Sequence, residues 1–77
     1  LEPIEALLPY SGQELTTEKF DQLLELDSLA NLDTRRMKRA RLIKDINQYY
    51  LTQTGRVLIV RNKVSDDKRY LTYLIQA

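Results

Sequence analysis

Phe20, Leu23 and Leu24 follow an i, i+3, i+4 spacing inside TTEKFDQLLELD, residues 16 to 27. No Gly or Pro interrupts the stretch, and the spacing predicts a helix with one apolar face. Thr16 or Thr17 can cap its N-terminus, and Glu18 sits favourably in its first turn. The longest predicted helix covers residues 35 to 53, built largely from strong helix formers. At about 100° per residue, Leu42, Ile43, Ile46, Tyr49 and Tyr50 fall within one arc of ~120°. That core face occupies the second half of the helix. Arg35, Arg36 and Arg39 project in roughly the same direction, but nearer the N-terminus. They cannot all be buried as charges. The expectation is a helix docked by its C-terminal half, with its basic N-terminal half pushed beyond the body of the domain. Gly55 is the expected C′ residue.

The remaining pattern is shorter-ranged. LEPIEALLPYSGQ predicts a short helix over about 3 to 8, opened by Pro3, ended by Pro9 and followed by a turn at Ser11-Gly12. SLANLD, residues 28 to 33, predicts a further short helix or helical turn. Ser28 is its expected N-cap, Leu29 and Leu32 anchor it, and Asp33-Thr34 supplies a second cap and a break. VLIVR, residues 57 to 61, is a predicted strand, and RYLTYLIQ, residues 69 to 76, a second with alternating apolar positions. The polar NKVSDDK joins them as a hairpin. Such a hairpin is too small to be stable alone and must lie against the helices. The fold class expected is α+β, mainly α: one domain over residues 1 to 77. The order of three helices and a C-terminal β-hairpin wing is that of a winged helix-turn-helix.

Composition narrows the chemistry. The chain has 77 residues and neither Cys nor His. No disulfide supports it, no thiolate or imidazole ligates a metal, and the commonest general base is missing. No GxxxxGK[ST], GxGxxG or HExxH motif occurs, and Asp66-Asp67 are adjacent on a turn. The expectation is a non-enzyme without catalytic residues, metal or cofactor. No apolar run approaches the ~18 residues of a membrane span, and the lack of Cys favours an intracellular setting. The chain opens on Leu1, which suggests a piece of a longer protein. Of the five tyrosines, Tyr49 and Tyr50 lie on the predicted core arc, which favours packing over base stacking. Asn47 and Gln48 sit late in the long helix, where a surface or capping role is favoured over adenine contact.

Charge changes the picture most. The formal net charge is only +1, yet residues 1 to 33 hold eight acids against one base, Lys19, a net of −7. Residues 34 to 77 hold eleven bases against three acids, a net of +8. TRRMKRARLIKD, residues 34 to 45, alone carries Arg35, Arg36, Lys38, Arg39, Arg41 and Lys44. These like charges repel one another, and phosphate is the partner that rewards the arrangement. Arg also holds guanine bidentately. The competing reading is a solvated face paired with the acidic helix at 16 to 27.

In a helix-turn-helix the N-terminal residues of the recognition helix reach base edges. The expected base-reading residues are therefore Arg35, Arg36, Lys38 and Arg39, on a recognition helix at 35 to 50. Arg41, Lys44, Arg61, Lys63, Lys68 and Arg69 are the expected phosphate and wing contacts.

RNKVSDDKRYLTYLI resembles the wing of the multiple-antibiotic-resistance regulator family: a basic strand end, a polar tip, an Asp-x-Arg and a returning strand. Asp67-Lys68-Arg69 matches the Asp-x-Arg. The resemblance implies that Asp67 helps set the wing and that Arg69 meets DNA. It covers about 15 residues, and the family's long dimerisation helices are absent from the chain. It therefore points to the broader superfamily of winged-helix DNA-binding domains.

The function expected is sequence-specific binding of double-stranded DNA. The setting would be a transcription regulator or the DNA-targeting domain of a replication or recombination protein. The alternative is a winged-helix protein-interaction module, with a protein partner docked on the acidic N-terminal third. Oligomeric state and target site are not encoded in any pattern of the sequence.

Overall fold

Thr16 stands at a junction. Its side chain accepts a hydrogen bond from the Lys19 amide at 3.1 Å, capping a helix that follows at once from a strand. The computed structural model describes residues 2–63 and 71–76. Helix α1 spans Glu2–Leu7 and tightens into a 3₁₀ turn at Leu8–Tyr10. Strand β1 (Glu14–Thr16) leads into α2 (Thr17–Leu23), and a second 3₁₀ turn follows at Leu26–Ser28. The long helix α3 covers Leu32–Thr54, and strands β2 (Ile59–Lys63) and β3 (Leu71–Ile75) close the chain. The sheet is antiparallel with order β1-β3-β2. The fold is thus α+β and mostly helical, with three α-helices and a three-stranded sheet among the described residues.

Several elements depart from the sequence expectation. Strand β1 (Glu14–Thr16) falls between the expected turn at Ser11-Gly12 and the expected helix, and takes in Thr16, an expected helix cap. Its three residues are too few to show a period, and they become a strand by pairing with β3, Leu15 opposite Tyr73. Helix α2 stops at Leu23 rather than at residue 27, because Glu25 turns into the left-handed region at φ 60°. The short helix or helical turn expected over 28 to 33 does not form as a separate element: a 3₁₀ turn ends at Ser28 and α3 starts at Leu32. Ser28 instead closes the 3₁₀ turn by donating its hydroxyl to the Glu25 carbonyl. Asn31 caps α3, its Oδ1 accepting from the Thr34 amide at 3.0 Å. Asp33 and Thr34 therefore lie inside the first turn of α3, and Leu32 is exposed rather than an anchor. Gly55 ends α3 in the left-handed conformation at φ 80°, as expected of a C′ glycine. Strand β2 begins at Ile59, two residues later than expected, and β3 is described from Leu71. The expected hairpin tip lies outside the described residues.

The core joins all elements. Ile4 and Leu7 of α1, Leu15, Phe20, Ile46, Leu58, Ile59, Tyr73 and Ile75 form one buried cluster. Phe20 stacks on Tyr73 with ring centroids 4.5 Å apart. Leu42, Ile43 and Tyr50 pack against the cluster. Tyr49, expected in the same arc, is exposed. The buried face of the sheet carries Leu15, Tyr73, Ile75 and Ile59. Arg61 lies directly opposite Tyr73 in the ladder, so it too belongs to the helix-facing side.

Candidate functional site

The six cations of α3 divide according to their angle around the helix axis. Taking buried Ile46 as the inward direction, Arg35 and Arg39 lie within roughly 20° of it at ~100° per residue. Both are half-buried and engaged by neighbouring elements. Arg35 donates Nε and Nη2 to the Leu29 carbonyl at 3.1 and 2.6 Å, and Nη2 to the Asp27 carbonyl at 3.2 Å. It ties the start of α3 to the loop that leads into it and satisfies carbonyls the 3₁₀ turn leaves open.

Arg39 meets Asp21 of α2 in a bidentate pair, Nε to Oδ1 at 2.7 Å and Nη2 to Oδ2 at 2.6 Å. Asp21 is only 3% exposed. The bond to that carboxylate pushes the Arg39 guanidinium above the ordinary arginine range, against the opposing effect of burial. The expectation that the basic half of the helix projects past the domain is corrected here. Two of its arginines point inward, and the acidic helix receives one of them. Asp21 sits beside Phe20 and three residues before Leu24, at the margin of the apolar face of α2. That position is the signal from which a buried partner for Arg39 could have been sought, though the sequence reading gave Arg39 to DNA.

The other four cations face solvent. Arg36, Lys38, Arg41 and Lys44 are exposed. Arg36 approaches Asp33 at 3.8 Å, with both side chains more than three-quarters exposed, a contact of little energetic weight. Among the described residues, Lys38, Arg41 and Lys44 make no ion pair. Arg61 on β2 is also exposed and shares with Lys44 the rim of a groove between α3 and β2. Ala40, Ile43, Asn47 and Ile59 line the rest of it. Thr34, Met37 and Ala40 lie among the outward cations, and Met37 is 71% exposed. Lys63 ends β2. Lys68 and Arg69 of the expected wing lie outside the described residues.

Asn47 holds this geometry. Its Oδ1 accepts from the amides of Leu58 and Ile59 at 3.1 and 2.9 Å, and its Nδ2 donates to the Ile59 carbonyl at 2.9 Å. One side chain thereby fastens the start of β2 to α3, which sets where Arg61 stands relative to Lys44. Sequence reasoning gave Asn47 a surface or capping role, and no local pattern identifies its partners eleven and twelve residues on.

The result is a face of one long helix, cationic along its outward side and flanked by a strand-borne arginine. It suits an extended polyanion more than a small enclosed ligand. No described helix is long and apolar enough to cross a membrane. No protein-family model, curated protein or solved structure matches the chain.

Proposed function

We propose that this chain is a winged helix-turn-helix domain that binds double-stranded DNA, with α3 as its recognition helix and β2–β3 as its wing. The element order α1-β1-α2-α3-β2-β3 and the sheet order β1-β3-β2 support that reading of the fold. The observation that carries the function is the division of the α3 cations. Arg35 and Arg39 are engaged within the fold, while Arg36, Lys38, Arg41 and Lys44 face outward together with Arg61 of β2.

Four outward cations on one helix repel each other, and among the described residues only Arg36 approaches a carboxylate. Phosphates relieve that repulsion and release counterions. The base-reading role passes to the outward face, with Lys38 and Arg41 near the N-terminal half of α3. Arg36, Lys44 and Arg61 serve as phosphate contacts. The domain would act in transcription regulation or as the targeting part of a replication or recombination protein.

The test is fluorescence-anisotropy titration of the 77-residue chain against a random duplex pool at several salt concentrations, followed by selection and sequencing of bound duplexes. About three phosphate contacts give a log–log salt slope near −2.7, or roughly 40-fold weaker binding between ~50 and ~200 mM salt. Selection should enrich a motif. A flat slope without enrichment overturns the reading and directs attention to a protein partner of the acidic N-terminal third.

A further inference from the structure

Met37 stands diametrically opposite buried Ile46 on α3, at roughly 180°. It is 71% exposed. Scattered exposed apolar residues are ordinary. This one is not scattered. Thr34 and Ala40 lie beside it at one-turn spacing, and Lys38 and Arg41 border the same shallow hollow. The patch is therefore apolar at its centre and cationic at its rim. Among the described residues, neither rim cation is neutralised by a carboxylate.

A ligand complementary to such a patch has apolar groups on its floor and anions along its edges. The major groove of duplex DNA has that form, and its apolar groups are the C5 methyls of thymine. Phosphates supply the edges. We propose that Met37, with the Thr34 methyl and Ala40, reads thymine C5 methyl groups, while Lys38 and Arg41 hold the flanking phosphates or guanines. This rests on α3 being the DNA-facing helix. From Thr34 to Arg41 the helix advances about 10 Å, so the contacted thymines fall within about three consecutive base pairs.

The experiment uses the 77-residue chain, duplexes selected from a randomised pool, and the same duplexes with single thymines replaced by deoxyuridine. That replacement deletes only the methyl. Each contacted thymine is expected to give about fourfold weaker binding when its methyl is removed, the loss of one buried methyl. M37A should bring that ratio towards one at its position and leave the salt slope unchanged, since no charge is altered. M37L should retain the discrimination. Thermal unfolding of both variants should match the parent, because Met37 is exposed and lies outside the core cluster.

Tight, salt-dependent and sequence-selective binding that ignores deoxyuridine substitution at every position overturns the methyl reading and leaves DNA binding standing. So does a loss on deoxyuridine substitution that persists in full in M37A, T34S and A40G. A preference for cytosine methylated at C5, with no penalty for deoxyuridine, overturns the assignment to thymine. Absence of selective duplex binding, or a preference for RNA, whose uracil has no methyl, overturns the proposed function and this inference together.

Discussion

Arg39 of α3 grips Asp21 of α2 through two parallel hydrogen bonds, 2.7 Å from Nε to Oδ1 and 2.6 Å from Nη2 to Oδ2. The pair lies between the two helices and fixes their relative placement. With side-chain exposures of 15% and 4%, it is largely withdrawn from water. Such a pair contributes less than its Coulomb attraction suggests, because both ions give up hydration. Removing one partner is different, since it strands the other.

R39A is therefore expected to destabilise the domain by about 3–5 kcal/mol, and D21A by a similar amount. A domain of this length is stable by roughly 4–12 kcal/mol, so either variant approaches unfolding. The double variant R39M/D21L should recover much of the loss, because no charge is left unpaired. Urea unfolding measures all three. The sign with pH follows from the raised Arg39 value: its contribution is present below the ordinary arginine value and is lost only as pH rises through the higher folded value. Stability lost through Arg39 between neutral pH and pH ~11 should thus be negligible, whereas R39K, with an ordinary value of about 10.4, should begin to lose its own contribution in the alkaline range. If R39A unfolds at the parent's urea midpoint, the pair does not hold the helices.

The helices were legible because their apolar spacings are long. Phe20, Leu23 and Leu24 marked α2, and Leu42, Ile43 and Ile46 marked the buried face of α3. Gly55 marked the end of α3. Strand β1 was not legible, since Leu15 becomes a strand residue only through Tyr73, far along the chain. Nor was the end of α2 at Leu23, because Glu25 gives no chemical hint of a left-handed turn. The basic cluster was legible as a cluster. Its division was not, because Arg35 is held by backbone carbonyls, which no side-chain pattern announces.

Asn47 gives a second stability prediction. Its carboxamide satisfies two amides and one carbonyl at the junction of α3 and β2. N47A leaves all three without that partner and should cost about 2–4 kcal/mol, at ~1–3 kcal/mol for each polar group that water does not reach. N47D keeps the acceptor and loses the donor, so it should fall between. Hydrogen exchange sharpens the test. The Leu58 and Ile59 amides should lose protection in N47A before the rest of the sheet does. Unchanged exchange at both would remove Asn47 from its place as the clamp.

Glu25 offers the opposite sign. It occupies φ 60°, ψ 27°, a region that costs a residue with a Cβ roughly 1–2 kcal/mol. Glycine avoids that cost but loses more backbone entropy on folding, about 0.5–1 kcal/mol. E25G should therefore stabilise the domain by up to ~1 kcal/mol, a rise of about 4–8 °C in Tm per kcal/mol for a chain of this size. E25V, branched at Cβ, should lower Tm. A fall in Tm for E25G would show that the Glu25 side chain contributes more than its backbone conformation costs.

The outward cations should separate binding from stability. R41A, K44A and R61A remove exposed side chains and should each leave unfolding within about 0.5 kcal/mol of the parent. Each should weaken DNA binding, and each that touches phosphate should make the salt slope shallower by about 0.9. A phosphate contact carries no sequence information, so the loss should be nearly uniform across duplexes. A base contact behaves otherwise: R41A or K38A should cost about 1–3 kcal/mol on the selected site and less on random duplex, relaxing specificity at one position. R35A reverses the pattern, losing stability through its carbonyl bonds while the salt slope of the folded fraction stays near the parent's. Because Asn47 fastens β2 to α3, N47D should also weaken the contribution of Arg61, and the double variant N47D/R61A should lose less than the sum of the two. Salt slopes measured on the five single variants decide the matter. If R35A flattens the slope and K44A and R61A do not, the helix presents its other face to DNA.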